Sequence, residues 1–125
     1  MCRCLLVTLL ALQLVACSPR YLIVQGLASE LASQGQAPEE DLILAREASA
    51  FYLKLSESLL RETPGHGPLE EAVAAGFAQY AYAFVQFDAD RLDAKDAKAA
   101  QKQRDRAARL YQRAHRHALR TFEQQ

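Results

Sequence analysis

After residue 19, every proline of the chain falls in one of two short segments, and this spacing constrains the fold strongly. Pro38 lies in the first segment, whereas Pro64 and Pro68 lie in the second. Proline interrupts helix interiors, so the stretches between these segments can form long helices. Alanine and leucine dominate those stretches and β-branched residues are few, a composition that favours helices over strands. The sequence therefore predicts an all-α fold.

Four helices are expected between these breaks. Proline and acidic residues suit the first turn of a helix, because proline lacks an N–H that would be unpaired there and acidic groups complement the helix dipole. Pro38 followed by three acidic residues, and Pro68 followed by Glu70 and Glu71, fit that pattern. Residues 88–94 are ambiguous between a short loop and a bend. The predicted helices cover about Arg20–Ser33, Pro38–Glu62, Pro68–Phe87 and Ala94–Phe122.

Two of the predicted helices share a spacing of small and aromatic residues. The second contains Ala48, Tyr52 and Leu55, and the fourth contains Ala107, Tyr111 and Ala114. Both sets fit the second helix of a tetratricopeptide unit, in which small residues admit the partner helix and the aromatic ring fills the groove. We therefore expect antiparallel helix pairs stacked as a short tetratricopeptide-like repeat.

The repeat is irregular. Ala48 and Ala107 lie 59 positions apart by their numbering, whereas one tetratricopeptide unit has about 34 residues. Either the second unit is longer than standard or residues 88–100 are an insertion. In the third helix, Gly76 is expected to be a point where a neighbouring helix approaches closely.

The N-terminus has the pattern of an export signal. Arg3 precedes an apolar run, Leu5–Ala16, and small residues lead to Cys17. Basic, apolar and small segments in this order are typical of signal peptides, and the terminal cysteine resembles the bacterial lipobox. A membrane-spanning helix needs about 20 apolar residues, so this run is too short to favour one. We expect residues 1–16 to be removed and Cys17 to be lipidated; the alternative is an ordinary secretory signal that ends near a cysteine.

Lipidation would determine both the thiol chemistry and the location of the protein. Cys2 and Cys4 leave with the signal peptide and the third cysteine is capped, so neither a disulfide nor a cysteine metal site is expected. Ser18 follows the cysteine where an aspartate would indicate retention in the inner membrane. The predicted location is therefore the periplasmic face of the outer membrane, and the predicted mature domain is residues 17–125.

The charge of the mature chain is balanced overall but unevenly distributed. Removal of Arg3 leaves 14 Lys and Arg against 15 Asp and Glu, which argues against a nucleic-acid partner. The last predicted helix nevertheless carries a basic row at helical spacing. We expect this row to contact an acidic partner or a ligand carboxylate; the alternative is a solvated helix face. The row consists of Arg109, Arg113, Arg116 and Arg120.

The third predicted helix carries an aromatic stripe. Phe77, Tyr80, Phe84 and Phe87 are three or four residues apart and share one side, whereas Tyr82 points elsewhere. The stripe can line a groove for an apolar ligand or form ordinary core between stacked helices. The candidate groove residues are Phe77, Tyr80, Tyr82 and Phe84.

The remaining polar residues do not predict an active site, a cofactor or a metal. Asp88, Asp90, Asp93 and Asp96 lack the glycine and glutamate that a calcium loop requires, and a solvated helix start explains them better. His115 and His117 are two residues apart, whereas a zinc pair on a helix needs a spacing of four. An enzyme is not expected.

The mature sequence resembles the TatT family of TRAP-transporter-associated lipoproteins. The resemblance lies in Ser18-Pro19-Arg20 after the lipobox and in segments 44–57, 76–85 and 107–114, and the tyrosine-rich run within 76–85 is its most specific part. The resemblance implies tetratricopeptide-like repeats, a TRAP solute-binding protein as partner, a hydrophobic ligand and an oligomeric arrangement with a pore.

The chain departs from the TatT pattern in length, because family members continue through further helix pairs. It resembles the N-terminal portion only. Two other roles remain open beside uptake with a solute-binding protein: a lipid-anchored carrier of an apolar ligand, and a general tetratricopeptide scaffold lipoprotein.

Overall fold

The computed structural model describes residues 19–34 and 38–123. Five α-helices and one π-helical segment follow one another in this part of the chain, and none of the described residues lies in a strand. The predicted all-α fold is confirmed. The elements are α1 (Pro19–Gln34), α2 (Leu42–Glu62), α3 (Gly67–Tyr80), the π-helical segment (Ala81–Gln86), α4 (Phe87–Asp93) and α5 (Ala97–Glu123).

The start of α2 differs from the prediction. The helix begins at Leu42, because the Asp41 carboxylate caps it by accepting hydrogen bonds from the backbone N–H groups of Ile43 and Leu44. An aspartate that binds these two unpaired donors stabilises a helix start. Pro38 therefore precedes the helix and does not occupy its first turn.

The third helix is longer than predicted. Residues 81–86 form a π-helical segment that leads directly into α4, so residues 67–93 form one continuous helix. Residues 88–93 are therefore helical, and a turn begins only at Ala94. Asp96 then caps α5 by accepting a hydrogen bond from the Ala99 N–H at 2.9 Å. Asp96 therefore lies at a helix start, as expected, whereas Asp88, Asp90 and Asp93 lie within the continuous helix, where Asp88 and Asp93 form ion pairs.

The π-helical segment has a geometric role. Six buried residues recur at intervals of four along the continuous helix, but an α-helix turns about 40° beyond a full circle in four residues. Five such steps would carry the row roughly to the opposite side. A π-turn takes up one extra residue, which reduces this drift and keeps the row against α5. The row is Leu69, Val73, Phe77, Ala81, Val85 and Ala89.

The matching surface of α5 is made of small residues. Ala100, Ala107 and Ala114 are buried and recur every seven residues, the spacing that keeps one helix face against a nearly antiparallel neighbour. All three parts of the continuous helix pack on α5. Burial of Ala107 and Ala114 agrees with the expected packing face of this helix.

Neighbouring helices run antiparallel. Contacts pair Arg46 with Asp88, and Leu53 with Gly76, along α2 and the continuous helix. A Cβ atom added to Gly76 would lie 2.6 Å from the Leu53 Cδ2 atom, so the predicted close approach is confirmed. Stacking of these pairs as a tetratricopeptide-like repeat stays a prediction.

The turn between α2 and α3 depends on two residues. Gly65 has a φ angle of 85°, a left-handed conformation that glycine adopts without strain. His66 caps α3, because its Nδ1 atom accepts a hydrogen bond from the Leu69 N–H at 3.1 Å. Within the described residues, no helix is both long enough and apolar enough to cross a bilayer.

Candidate interaction surfaces

A cluster of charged side chains joins α2, α3 and α5 near one end of the bundle. The His117 ring lies between two glutamates, with Nδ1 2.9 Å from the Glu70 Oε1 atom and Nε2 3.2 Å from the Glu57 Oε1 atom. His117 and Glu70 are buried. An imidazole protonated on both nitrogens can donate to both carboxylates. The histidine therefore bridges all three helices.

Arg113 completes the cluster. Its guanidinium group donates two hydrogen bonds to the Glu57 carboxylate, one of them from Nε to Oε1 at 2.6 Å. It also lies over the Phe77 ring, 4.8 Å from the centroid, and that ring stacks against His117 with an interplanar angle of 4°. Bidentate Arg–carboxylate pairing and cation–π contact both favour this one position.

The cluster keeps Glu57 ionised. Burial raises the pKa of Glu57, but hydrogen bonds from Arg113, Lys54 and His117 favour the carboxylate more strongly and lower its pKa from 4.5 to about 2. The Lys54 Nζ atom lies 2.7 Å from the Glu57 Oε2 atom. Glu57 therefore stays charged at neutral pH.

No local sequence motif predicts this cluster. As a metal-ligand pattern, His117 pairs only with His115, which is exposed. The available signal was the seven-residue spacing of alanines on α5, because His117 lies three residues after Ala114 and so belongs to the packing face. That face places the histidine inside the bundle.

An open cleft lies beside the cluster, between the C-terminal halves of α2 and α5. Its volume is about 620 Å³. Its lining side chains include five lysine or arginine residues and two glutamates, in addition to His117. Because the two glutamates are used by the cluster, the outer part of the cleft is positively charged. The five cationic residues are Lys54, Arg61, Arg113, Arg116 and Arg120.

The structure divides the predicted basic row. Arg109, Arg116 and Arg120 are exposed, as a partner contact requires. Arg113 instead forms part of the internal cluster, because its side chain pairs with Glu57 and covers Phe77. The structure therefore gives Arg113 a role in the fold, and the partner contact stays a prediction for the other three arginines.

The four candidate groove residues do not share one open surface. Phe77 is only 3% exposed, because it faces α5, and Tyr80 and Phe84 are half-buried with ring centroids 5.3 Å apart. Tyr82 is 69% exposed and points away from them. Phe77, Tyr80 and Phe84 pack between helices, which corresponds to the core alternative, whereas Phe87 at the end of the stripe is 56% exposed. Binding of an apolar ligand stays a prediction.

A second ion pair fastens α2 to α4. The Arg46 guanidinium group makes two hydrogen bonds to the Asp88 carboxylate, at 2.6 and 2.9 Å, and lies over the Phe84 ring. The hydrogen bond from Arg46 lowers the pKa of Asp88. The Arg46–Asp88 ion pair thus joins α2 to the continuous helix, and its arginine covers one face of the half-buried Phe84 ring.

The outer side of α2 is an exposed apolar stripe. Leu44, Ala48, Phe51 and Leu55 follow helical spacing opposite the buried Leu53 and Leu60. A helix with apolar residues on both sides is normally covered on both. We call Leu44, Phe51 and Leu55 the outer stripe of α2.

Comparison with known proteins places the chain in a family. The model of the TRAP transporter T-component family matches residues 38–125. The chain belongs to the TRAP transporter T-component family. Membership confirms the predicted resemblance and connects the chain with TRAP transport as a transporter component.

A related protein is much longer than this chain. An uncharacterised protein of Treponema pallidum (strain Nichols) is 36% identical over 85 residues, which cover 68% of this chain and 26% of the relative. The chain thus spans about a quarter of the length of that relative. No solved structure matches the chain.

Proposed function

We propose that the protein is a lipid-anchored helical component of a TRAP uptake system that binds a periplasmic solute-binding protein. The match of the T-component family over residues 38–125 carries this proposal. The lipobox-like sequence that ends at Cys17 supports the anchor, although Cys17 lies outside the described residues. A lipid anchor on an exported chain places the domain at the periplasmic face of a bacterial membrane, and Ser18 favours the outer membrane.

The outer stripe of α2 is the surface that we assign to the solute-binding protein. Phe51 is 72% exposed and Leu44 is 51% exposed. Clustered aromatic and aliphatic side chains of this kind commonly form the centre of a protein interface. From the predicted basic row we assign Arg109, exposed on α5, to an acidic region of the same partner. A second copy of the chain is the competing occupant of the stripe.

Titration of the cognate solute-binding protein tests the proposal. Phe51→Ser combined with Leu55→Ser should weaken binding at least about tenfold, because loss of a buried interface anchor costs about 2 kcal/mol or more. The matched control is Leu119→Ser with Phe122→Ser, which removes two exposed apolar side chains from α5. Equal binding by both pairs would exclude the outer stripe, and absence of binding by the wild type would contradict the adaptor role.

The same samples distinguish the partner from a second copy. If the outer stripe joins copies of this chain, light scattering should show an oligomer that the Phe51 and Leu55 substitutions dissociate. If it binds the solute-binding protein, the oligomeric state should not respond to these substitutions. Arg109→Glu should mainly slow association and reduce its dependence on salt, as expected for a charge at the rim of an interface.

A further inference from the structure

One end of the bundle combines charge and exposed apolar groups beside the point where the chain would be anchored. The end is identified by two contacts: the Arg20 Nη2 atom lies 3.3 Å from the Glu62 Oε2 atom, and Arg120 approaches Glu70. The start of α1, the end of α2, the start of α3 and the end of α5 therefore meet there.

The first turns of α1 are exposed at this end. Ser29 lies level with His66 of the α2–α3 turn, with Oγ 3.3 Å from Nε2. The ten residues before Ser29 span about 15 Å of helix. Three consecutive large apolar side chains in that part are more than half exposed: Tyr21, Leu22 and Ile23.

Apolar side chains on α5 extend the same end. Phe122 in the last turn of α5 is 72% exposed, and Leu119 is also exposed. Aromatic and aliphatic groups of this kind enter the boundary between lipid headgroups and acyl chains when they lie beside basic residues.

The open cleft between α2 and α5, which we call the basic cleft, supplies those basic residues. Arg61 and Arg116 line it and are exposed, and neither forms an ion pair among the described residues. Glu71 and Glu123 are also exposed near this end, so the positive charge is local to the cleft. A local site of this kind fits one phosphate-bearing headgroup better than a diffuse anionic surface.

The short stretch of chain between Cys17 and α1 would hold this end of the bundle near the membrane. Cys17 precedes the first residue of α1 by two positions, and two residues span at most about 7 Å. An acyl group on Cys17 would therefore keep this end of the bundle close to the lipid surface. A second, electrostatic contact is the usual complement of a lipid anchor.

We propose that this end of the bundle is a membrane-docking face, in which the basic cleft binds the phosphate of an anionic phospholipid while apolar side chains of α1 and α5 enter the headgroup region. The proposal rests on the anchor assigned above. It uses Arg61, Arg116 and Arg120 for the membrane and leaves Arg109 and the outer stripe of α2 exposed to the periplasm.

A single introduced tryptophan tests the docking face, because the chain contains none. Phe122→Trp places the probe at the docking face, and Phe51→Trp places it on the outer stripe at the same exposure of 72%. The acylated protein is reconstituted into vesicles of phosphatidylcholine with brominated phosphatidylglycerol. Fluorescence of the Phe122→Trp variant should be quenched and shifted to shorter wavelength, whereas that of the Phe51→Trp variant should stay unquenched, as expected for a side chain in water.

Charge reversal tests the headgroup site. Arg61→Glu with Arg116→Glu should reduce the docked fraction about tenfold or more, since each basic residue near an anionic surface contributes appreciably to binding. Lys98→Glu with Lys102→Glu makes the same change in net charge on the distant half of α5 and should have little effect. Circular dichroism confirms folding, and Arg61→Gln with Arg116→Gln replaces a variant that does not fold.

Each outcome bears on the proposal. Equal quenching of the two tryptophans, or equal effects of the two charge reversals, would overturn it. Equal quenching in brominated phosphatidylcholine alone would also overturn the headgroup site. If the purified chain carries no acyl group, the anchor is wrong, and adding the same vesicles tests the docking face by itself. Quenching of the Phe122→Trp variant then supports the docking face, and absence of quenching overturns it.

Discussion

The inner and outer sides of α2 have similar apolar content but very different surroundings. Leu53 and Leu60 on the inner side are buried, whereas Leu44, Phe51 and Leu55 on the outer side are exposed. The inner side faces a continuous helix whose own buried residues keep one direction through the π-helical segment. Apolar residues at helical spacing therefore identify a contact surface. They do not show whether that surface contacts another helix of this chain or another molecule. Substitutions at matched inner and outer positions test this difference.

The largest effect is expected in the seam between α5 and the continuous helix. Ala107 is buried and its neighbour Ala108 is exposed. Ala107→Arg would place an unpaired charge in the seam and should lower the free energy of unfolding by about 4 kcal/mol. Ala108→Arg should change it by less than about 0.5 kcal/mol. Urea unfolding measures both, and similar stabilities would mean that the packing face of α5 is wrong.

The next largest effect is expected for the buried histidine. His117→Ala would leave Glu70 buried without its partner and should cost about 3 kcal/mol. His115→Ala, on the exposed side of the same helix, should be nearly neutral. If the two variants unfold at the same urea concentration, His117 does not hold the three helices together.

A smaller loss in the free energy of unfolding should distinguish the inner side of α2 from the outer side. Leu53→Ala removes a buried side chain that packs at Gly76 and should cost about 2–3 kcal/mol, because it leaves a cavity. Leu55→Ala removes the same atoms from the outer stripe and should cost less than about 0.5 kcal/mol in the isolated protein. A comparable loss at both positions would show that the outer stripe is already covered.

The smallest effect concerns pH. The pKa of Glu57 is lowered to about 2 in the folded protein, so its contribution to stability is present above pH 4.5 and is lost as the pH falls toward 2. The shift corresponds to about 3 kcal/mol at most, which solvent at the cleft reduces to about 1–2 kcal/mol. Unfolding measured from pH 5 to pH 2 should show this loss, and Glu57→Gln should reduce it to the part that Asp88 contributes. A wild-type stability independent of pH would contradict the role of the cluster.

Local sequence rules predicted the helices better than their ends. The bounds of α1 and the break at Thr63–Pro68 follow from glycine and proline placement, but Asp41 caps α2 through a side-chain contact that competes with the proline signal. The π-helical segment has no local sequence signature. Its position depends on the need to keep a row of buried residues facing α5. That requirement appears only when both helices are present.

The candidate surfaces were partly predictable. Three arginines of the basic row are exposed on α5, but Arg113 joins Glu57, which lies 56 positions earlier on another helix. The spacing of His117 from His115 does not fit a zinc site, and its actual partners, Glu57 and Glu70, lie on α2 and α3. Contacts between distant helices decide both cases, and a single helix pattern does not contain them.

Intact-mass analysis of the protein taken from bacterial membranes tests the membrane-anchored role most directly. The chain should begin at Cys17 and carry acyl groups, and Cys17→Ala should abolish both labelling by a palmitate analogue and recovery in the membrane fraction. A chain that carries no acyl group at Cys17, or labelling that survives Cys17→Ala, would contradict the anchored component of TRAP uptake proposed here.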